Sequence, residues 1–337
     1  TTVTVQTQTL PLALFHPEVI FQTQLITNKM NLNNIEFICP ICKTGSVNIE
    51  RDSANCKNIN CQSHFSLING KPVLIDFNKS VISKESFIEN SGKSEVPRTD
   101  DKFIIKIKRI LFGDGSVTRK NLKYLEDFFH HRNNLKILII GGGPIGSGMS
   151  NFYKAFKKNI LAFDIYANPN IHFIADAHNI PIKNKTFDLI IIQAVLEHVL
   201  NPYVVVDECR RLLKDDGLIY AETPFMQQVH EGAYDFIRFT DSGHRYLFKN
   251  FSILKSGYVA GVGTSLMWSI SYFFGGLFRS VVIKKILRIL FFWLRYFDFL
   301  VPNSQNIDGA SGFYFIGKIS NHTLNEKEII DYYNGSQ

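Results

Sequence analysis

The chain has 337 residues, 45% of them hydrophobic and 20% charged, with Lys+Arg at 37 against Asp+Glu at 30 for a net charge of +7. That balance excludes a wholly disordered, collagen-like or mainly coiled-coil chain, and the length suits about two domains. The mild basic excess permits contact with nucleic acid, anionic lipid or a phosphorylated substrate and singles out none of them.

Residues 1–34 read as an irregular leader. Positions 1–29 are rich in Thr and Gln, and Met30 opens a more protein-like stretch. No basic-then-apolar pattern of a secretory signal is present, which points to a cytoplasmic chain. Four of the five cysteines then fall within 23 residues, as Cys39-x2-Cys42 and Cys56-x4-Cys61. Without a secretory signal, so tight a cluster reads as metal binding before disulfides. Each pair can turn two thiolates toward one ion, and two pairs complete a tetrahedron. A closed, structural zinc site is expected at Cys39, Cys42, Cys56 and Cys61, with His64 a spare ligand and free or redox-active thiols the alternatives. The unit covers 35–77, and at about 40 residues it needs such support to fold. Its run Phe65 to Leu74 resembles small zinc ribbons found beside, or fused to, methyltransferases, which implies a partner- or substrate-binding role.

Residues 78–101 are rich in Ser, Lys, Glu and Asn and read as a linker. Residues 102–131 read as helical, with Leu122, Leu125, Phe128 and Phe129 at helical spacing. From Lys136 strands and helices alternate. Ile137–Ile140, Ile160–Phe163, Ile171–Ile174, Phe187–Ile192 and Leu218–Ala221 are strands, Val204–Leu213 a helix, and Phe313–Ile319 a late strand. This predicts an α/β fold, a doubly wound and mostly parallel sheet over 102–320, with 321–337 as a tail. Ligands of such sheets sit at the carboxyl ends of the strands, where Asp164, Asp176 and Gln193 fall.

The run Gly141-Gly142-Gly143-Pro144-Ile145-Gly146 follows the first of these strands, and Asp164 lies 18 residues past Gly146. The glycines let backbone approach a ligand closely, and the acid can accept from both hydroxyls of a ribose. NAD and S-adenosylmethionine both present that ribose. The segments Ala175-Asp176-Ala177-His178-Asn179-Ile180-Pro181, Phe187-Asp188-Leu189-Ile190 and Val195-Leu196-Glu197-His198-Val199 then resemble the class I S-adenosylmethionine-dependent methyltransferases of small-molecule type. The resemblance covers about 118–260 plus the last strand. It implies a Rossmann-like fold with S-adenosyl-L-methionine as cofactor. Gly141, Gly143 and Gly146 would pass under the methionine, Asp164 would hold the ribose, Asp176 and Ala177 would meet the adenine, and Gln193 with Ala194 would line the methionine side. One position departs: the family often carries an acid two residues before the first glycine, and here Ile139 stands there. That departure keeps open a non-catalytic, partner-binding chain, and the glycine loop keeps open an NAD-dependent oxidoreductase. Asp188 reads equally as a strand cap, Glu197 and His198 as groups that orient the next helix, and Cys209 as core.

Methyl transfer to a hydroxyl needs alignment and a base. Glu222, His230, Glu231, Asp235, Arg238, Asp241, His244 and Arg245 crowd the segment after the fifth strand. Among them His230 is the favoured base because imidazole titrates near neutrality, and Arg238 or Arg245 could hold a phosphate or carboxylate. This segment resembles methyltransferases found with sugar and cell-envelope biosynthesis enzymes. It implies O-methylation of a small-molecule or saccharide acceptor, and the scatter of basic residues disfavours nucleic acid. An apolar, basic insertion at 265–300 places Lys284, Arg288, Arg295 and Asp298 on one helical stripe. It reads as a hydrophobic cap or homodimer surface, or as a helix lying on the inner face of an anionic membrane. The uncharged stretch 256–278 also suits a membrane span by length, against which its five glycines argue.

Overall fold

The computed structural model describes residues 35–93 and 115–337. The leader expected at 1–34, part of the expected linker and the start of the expected helix at 102–131 lie outside the described residues. The N-terminal unit has a three-stranded antiparallel sheet, β1 (Val47–Ile49), β2 (Ala54–Cys56) and β3 (His64–Phe65), and a small hairpin, β4 (Leu67–Ile68) with β5 (Lys71–Pro72). A short helix α1 (Lys84–Glu89), capped by the Ser83 side chain on the Ser86 amide, follows inside the expected linker.

Helix α2 (Ser116–Phe129) leads into the large sheet. Its strands are β6 (Ile137–Ile140), β7 (Ile160–Asp164), β8 (Phe173–Ile174), β9 (Phe187–Gln193), β10 (Leu213–Pro224), β11 (Phe251–Ala260) and β12 (Gly312–Ile319), in the order β11-β12-β10-β9-β6-β7-β8. Strands β8, β7, β6, β9 and β10 are parallel, and β12 runs antiparallel between β10 and β11. This is the doubly wound, mostly parallel, Rossmann-like sheet that the alternation predicted. Side-chain alternation divides it cleanly. Leu138, Ile140, Ile190 and Ile192 join one core, and Ile137, Ile139, Leu189 and Ile191 the other. Both faces are covered, which explains why these strands read as unbroken apolar runs.

Helix α3 (Ser150–Ala155) follows the glycine loop, and α4 (Pro202–Leu212), capped by the Asn201 side chain, precedes β10. Asp188 is no free acid, because its carboxylate accepts from Arg132, Lys214 and the Lys136 amide and ties three segments at the base of the sheet. Cys209 is fully buried in the core. Strand β10 starts five residues earlier than its apolar run, with an irregularity between Leu213 and Leu218 that absorbs Asp215 and Asp216. Strand β11 escapes the sequence pattern because lysine and serine interrupt it and it lies at the sheet edge, half exposed.

The N-terminal unit docks on the other edge. Val73 bridges Ile174 in parallel and the Leu74 amide donates to the Ile174 carbonyl at 2.8 Å. The Phe37 and Phe173 rings meet edge to face at 5.2 Å. Phe37, Cys39, Phe65 and Leu74 thereby belong to the same core as Phe163 and Phe173.

After α5 (Asp241–Leu247) and β11, the chain forms helix α6 (Val262–Leu277), helix α7 (Val281–Leu290), a 3-10 segment (Phe292–Phe299) and α8 (Asn303–Gly309) before β12; α9 (Glu326–Asp331) ends it. The glycines here serve packing. A Cβ on Gly275 would meet Lys284 Cβ at 2.7 Å, and one on Gly263 would meet the Leu294 carbonyl at 2.2 Å. The basic stripe faces inward. Lys284 Nζ sits 3.1 Å from the Tyr272 ring centroid, Arg288 stands over Trp268, and Asp298 caps α6 by accepting from the Gly261 and Thr264 amides. The apolar side chains consequently point outward, with Phe273 65% and Phe299 76% exposed. Among the described residues no helix is long and apolar enough to cross a membrane.

Candidate functional site

A cavity of about 320 Å³ opens at the carboxyl ends of β6, β7 and β9. Its floor is the glycine loop, which leaves β6 in a left-handed turn at Gly141 with φ +71°. A side chain there is excluded, because a Cβ would stand 2.3 Å from Val195 Cγ2. Gly146 is held as closely: its Cβ would lie 1.9 Å from Gln193 Oε1. Gly143 does not line the cavity but donates its amide to Asp164 Oδ2 at 3.0 Å. Asp164 Oδ1 accepts from the Tyr166 amide at 3.2 Å, so the carboxylate is fixed at the rim of β7. Gly141, Gly146, Asp164, Asp176, Ala177 and Gln193 all line the one cavity.

The far wall is built around Asp176. Its Oδ1 accepts from the His178 amide at 2.9 Å and from His178 Nδ1 at 2.7 Å, and its Oδ2 accepts from Ser80 Oγ at 2.6 Å. Burial pushes this carboxyl up, but the His178 and Ser80 hydrogen bonds outweigh it and hold it below the usual range. Ser80 comes from the segment that composition marks as a linker, and its neighbours Val81 and Ile82 line the cavity. Nothing in that polar stretch signals this position, since the contact spans 96 residues of sequence.

The groups expected to supply a negative charge near the first glycine are rearranged. Ile139 is buried in the core. Glu222, at the end of β10, is buried beneath Gln193: it accepts from Gln193 Nε2 at 2.6 Å, from Thr118 Oγ1 at 2.8 Å and from the Tyr220 hydroxyl. Burial raises its pKa, against those three hydrogen bonds. Gln193 Oε1 is buried and has no partner. Ala194 next to it takes a left-handed backbone with φ 53°. Such strain in a non-glycine residue concentrates at ligand-binding sites. An orphaned acceptor, a close backbone approach and a rim carboxylate are the donor and acceptor set that an aminoacyl nucleoside requires.

The remaining wall holds His198, Val199, His230, Glu231 and Tyr234. His230 Nδ1 lies 3.4 Å from Asp235 Oδ2 and its Nε2 3.8 Å from Glu197 Oε1. Glu197 is fully buried, and burial pushes its carboxyl up to about 8. Burial also lowers the pKa of His198, and the nearby His230 adds to this. Arg238 forks Asp235 and donates to the Gln227 carbonyl, while Arg245 is buried on the Phe248 and Phe251 carbonyls. Both arginines are therefore committed to the fold rather than to an acceptor anion. Asp241 and His244 are buried in α5 and do not line the cavity.

At the N-terminal unit, Cys39 and Cys61 Sγ lie 3.8 Å apart and Cys42 and Cys56 Sγ 3.7 Å. Four thiolates around zinc at 2.3 Å would be about 3.8 Å apart. Amides of Gly45 and Asn58 point at Cys42 and Cys56 sulfurs, at 3.3 and 3.4 Å, as they would toward thiolates. The donor set fits a closed tetrahedral zinc site.

Residues 143–221 match the family model described as a methyltransferase domain. That match supports a class I S-adenosylmethionine-dependent methyltransferase domain in this chain. A curated relative, the ubiquinone biosynthesis O-methyltransferase of Glaesserella parasuis serovar 5, is 49% identical over 119 residues, covering 30% of this chain and 50% of that protein. The chain thus spans about half the length of the curated relative it matches. Among solved structures, the Haemonchus contortus phosphoethanolamine N-methyltransferase 2 superposes with a TM-score of 0.41 at 12% identity, covering 64% of this chain and 57% of that one. A coclaurine N-methyltransferase gives 0.42 at 14%, covering 72% and 84%. An Archaeoglobus fulgidus S-adenosylmethionine-dependent methyltransferase gives 0.39 at 13%, covering 65% and 100%.

Proposed function

We propose that the chain transfers the methyl group of S-adenosylmethionine to a hydroxyl of a small-molecule acceptor. The observation that carries this reading is the convergence of the glycine loop, Asp164, Asp176 and Gln193 on one cavity that also holds His230. When bound, the cofactor supplies an electrophilic methyl group on a sulfonium. Asp164 would accept from the ribose hydroxyls. Ala177 would donate its amide to the adenine, and Asp176, held by Ser80 and His178, would complete that side. The unpartnered Gln193 Oε1 would accept from the cofactor's ammonium, with the Glu222 carboxylate behind it supplying the charge that Ile139 does not. His230, oriented by Asp235, would take the acceptor's proton.

The name of the curated relative favours oxygen as the methylated atom. The outward apolar face of α6 and α7 suits a lipid-linked, sugar-containing acceptor presented at the inner face of an anionic membrane. The zinc ribbon would brace the adenine side through Ser80, Val81 and Ile82. Calorimetric titration with S-adenosylhomocysteine, with NAD as control, tests the cofactor class. Binding of the first and not the second is expected. Binding of NAD alone would overturn the reading, and binding of neither would leave the fold as a non-catalytic scaffold.

A further inference from the structure

On the acceptor wall three side chains from two separate segments turn their donor atoms toward one point. Glu197 and His198 come from the 3-10 turn after β9, and His230 from the loop after β10. Glu197 Oε1 lies 3.6 Å from His198 Nε2 and 3.8 Å from His230 Nε2, and all three donor atoms fall within 4.8 Å of one another. The two imidazoles stand edge to face with centroids 4.9 Å apart. From these contacts we propose that Glu197, His198 and His230 form a binding site for a divalent transition-metal ion, open on its remaining side to the acceptor cavity.

Three independent features point the same way. First, both oxygens of Glu197 are buried and neither has a hydrogen-bond partner. A buried acid left wholly unsatisfied costs free energy that a cation ligated there would return. Second, both histidines are anchored through the ring nitrogen that faces away from the point. His198 Nδ1 donates to the Tyr234 carbonyl at 2.8 Å, and His230 Nδ1 faces Asp235 Oδ2 at 3.4 Å. That arrangement fixes the tautomer that leaves each Nε2 with a lone pair, as carbonyl and carboxylate partners do for metal-bound histidines. Third, the two distances to Glu197 are nearly right without an ion. Ligands about 2.1 Å from a tetrahedral metal stand about 3.4 Å apart, so contraction by a few tenths of an ångström brings Glu197 into register with each imidazole.

Two imidazoles and one carboxylate favour zinc, iron or manganese over calcium or magnesium. His198 and His230 line the cavity, so the unfilled coordination positions face the acceptor. An ion there would take an oxygen donor of the acceptor and lower its pKa, releasing the proton to water. This step rests on the methyltransferase reading, whereas the ion site does not. It also changes the part played by His230, from proton acceptor to ligand.

The test uses the full chain, stripped by chelation and titrated with Co(II) under reducing conditions. The wild type should take two equivalents, one with the charge-transfer band of thiolate ligands and one with only the weaker bands of nitrogen and oxygen ligands. His230→Ala, a change in an exposed loop, should keep the thiolate signal and lose the second equivalent, with its far-UV circular dichroism unchanged. X-ray absorption of the zinc-loaded wild type should show nitrogen and oxygen scatterers beside sulfur, a readout that needs no variant. A single thiolate-bound equivalent, or two equivalents that survive His230→Ala, would overturn the proposal. Parallel titration of the wild type with S-adenosylhomocysteine separates the two ideas, since failure to bind it would sink the methyltransferase reading and leave the ion count untouched.

Discussion

Ser80 Oγ donates to Asp176 Oδ2 at 2.6 Å, joining the segment behind the ribbon to the far wall of the cavity. One hydrogen bond to a charged group contributes about 1.5–3 kcal/mol when fully formed and buried, and less at this half-buried position. Ser80→Ala should therefore weaken S-adenosylhomocysteine binding by roughly five- to tenfold, about 1 kcal/mol. Calorimetry reads it directly, and an unchanged isotherm would mean that the segment only decorates the rim.

Asp164 makes a stronger demand. Its carboxylate is already oriented by the Gly143 and Tyr166 amides, so little ordering remains to be done on binding. Asp164→Ala should reduce cofactor affinity by roughly ten- to a hundredfold, the scale of a charge-assisted pair of hydrogen bonds. Methyl transfer at ordinary cofactor concentrations by this variant would remove Asp164 from the ribose site.

The four cysteines lead to a prediction about stability. Structural zinc contributes about 10–16 kcal/mol of binding free energy in small fingers, and this ribbon shares its core with the edge of the large sheet. Cys39→Ser, or a chelator under reducing conditions, should lower the thermal midpoint and weaken S-adenosylhomocysteine binding together. Loss of zinc with both quantities unchanged would show that the ribbon is an independent appendage.

Acid should destabilise the fold through His244. Its ring is fully enclosed beside Phe239 and Phe248, and burial alone pushes its pKa down from 6.5 to about 3. The unfolded chain binds this proton below about pH 6.5 and the folded chain does not, so the neutral ring's stabilising contribution is whole above that pH. It is lost progressively as pH falls toward 3. His244→Leu should flatten the decline in denaturant midpoint between pH 6.5 and 4, and an unaltered slope would assign the acid limb to other groups.

The outward face of the α6–α7 hairpin should bind anionic vesicles. Phe273 and Leu277 are 65% and 62% exposed, and Lys285 and Arg279 lie exposed nearby. Phe273→Glu with Leu277→Glu should abolish co-sedimentation with phosphatidylglycerol vesicles while leaving the circular dichroism spectrum in place. Self-association of the wild type that disappears in the same variant, without vesicle binding, would instead make this face a homodimer contact.

What the sequence made legible follows from range. The parallel strands and the glycine loop are local patterns, and Asp164, Asp176 and Gln193 were readable because strand ends announce themselves in the chain. Ser80 was not, because a lone serine in a polar stretch carries no trace of a partner far along the sequence. Glu197 and His198 were visible only as residues that could orient a helix. Their meeting with His230 depends on the loop after β10 folding back over β9. The basic stripe of 284–298 was found by periodicity, but its direction was not. Cation–aromatic contacts with Tyr272 and Trp268 turn it inward, against the usual rule that charge faces water.

The place of β12 in the sheet has a consequence for how the protein is made. Residues 312–319 come after both β10 and β11 in the chain, yet they fill the gap between them. Until they emerge from the ribosome, two strands that will lie side by side with β12 each carry an unpaired edge, an invitation to the wrong neighbour. The helices between β11 and β12, with their apolar outer face, are spanned by that same gap. Zipping of β12 thus fixes the hairpin on the body of the protein, so the sticky surface gains a defined orientation only once that strand has paired.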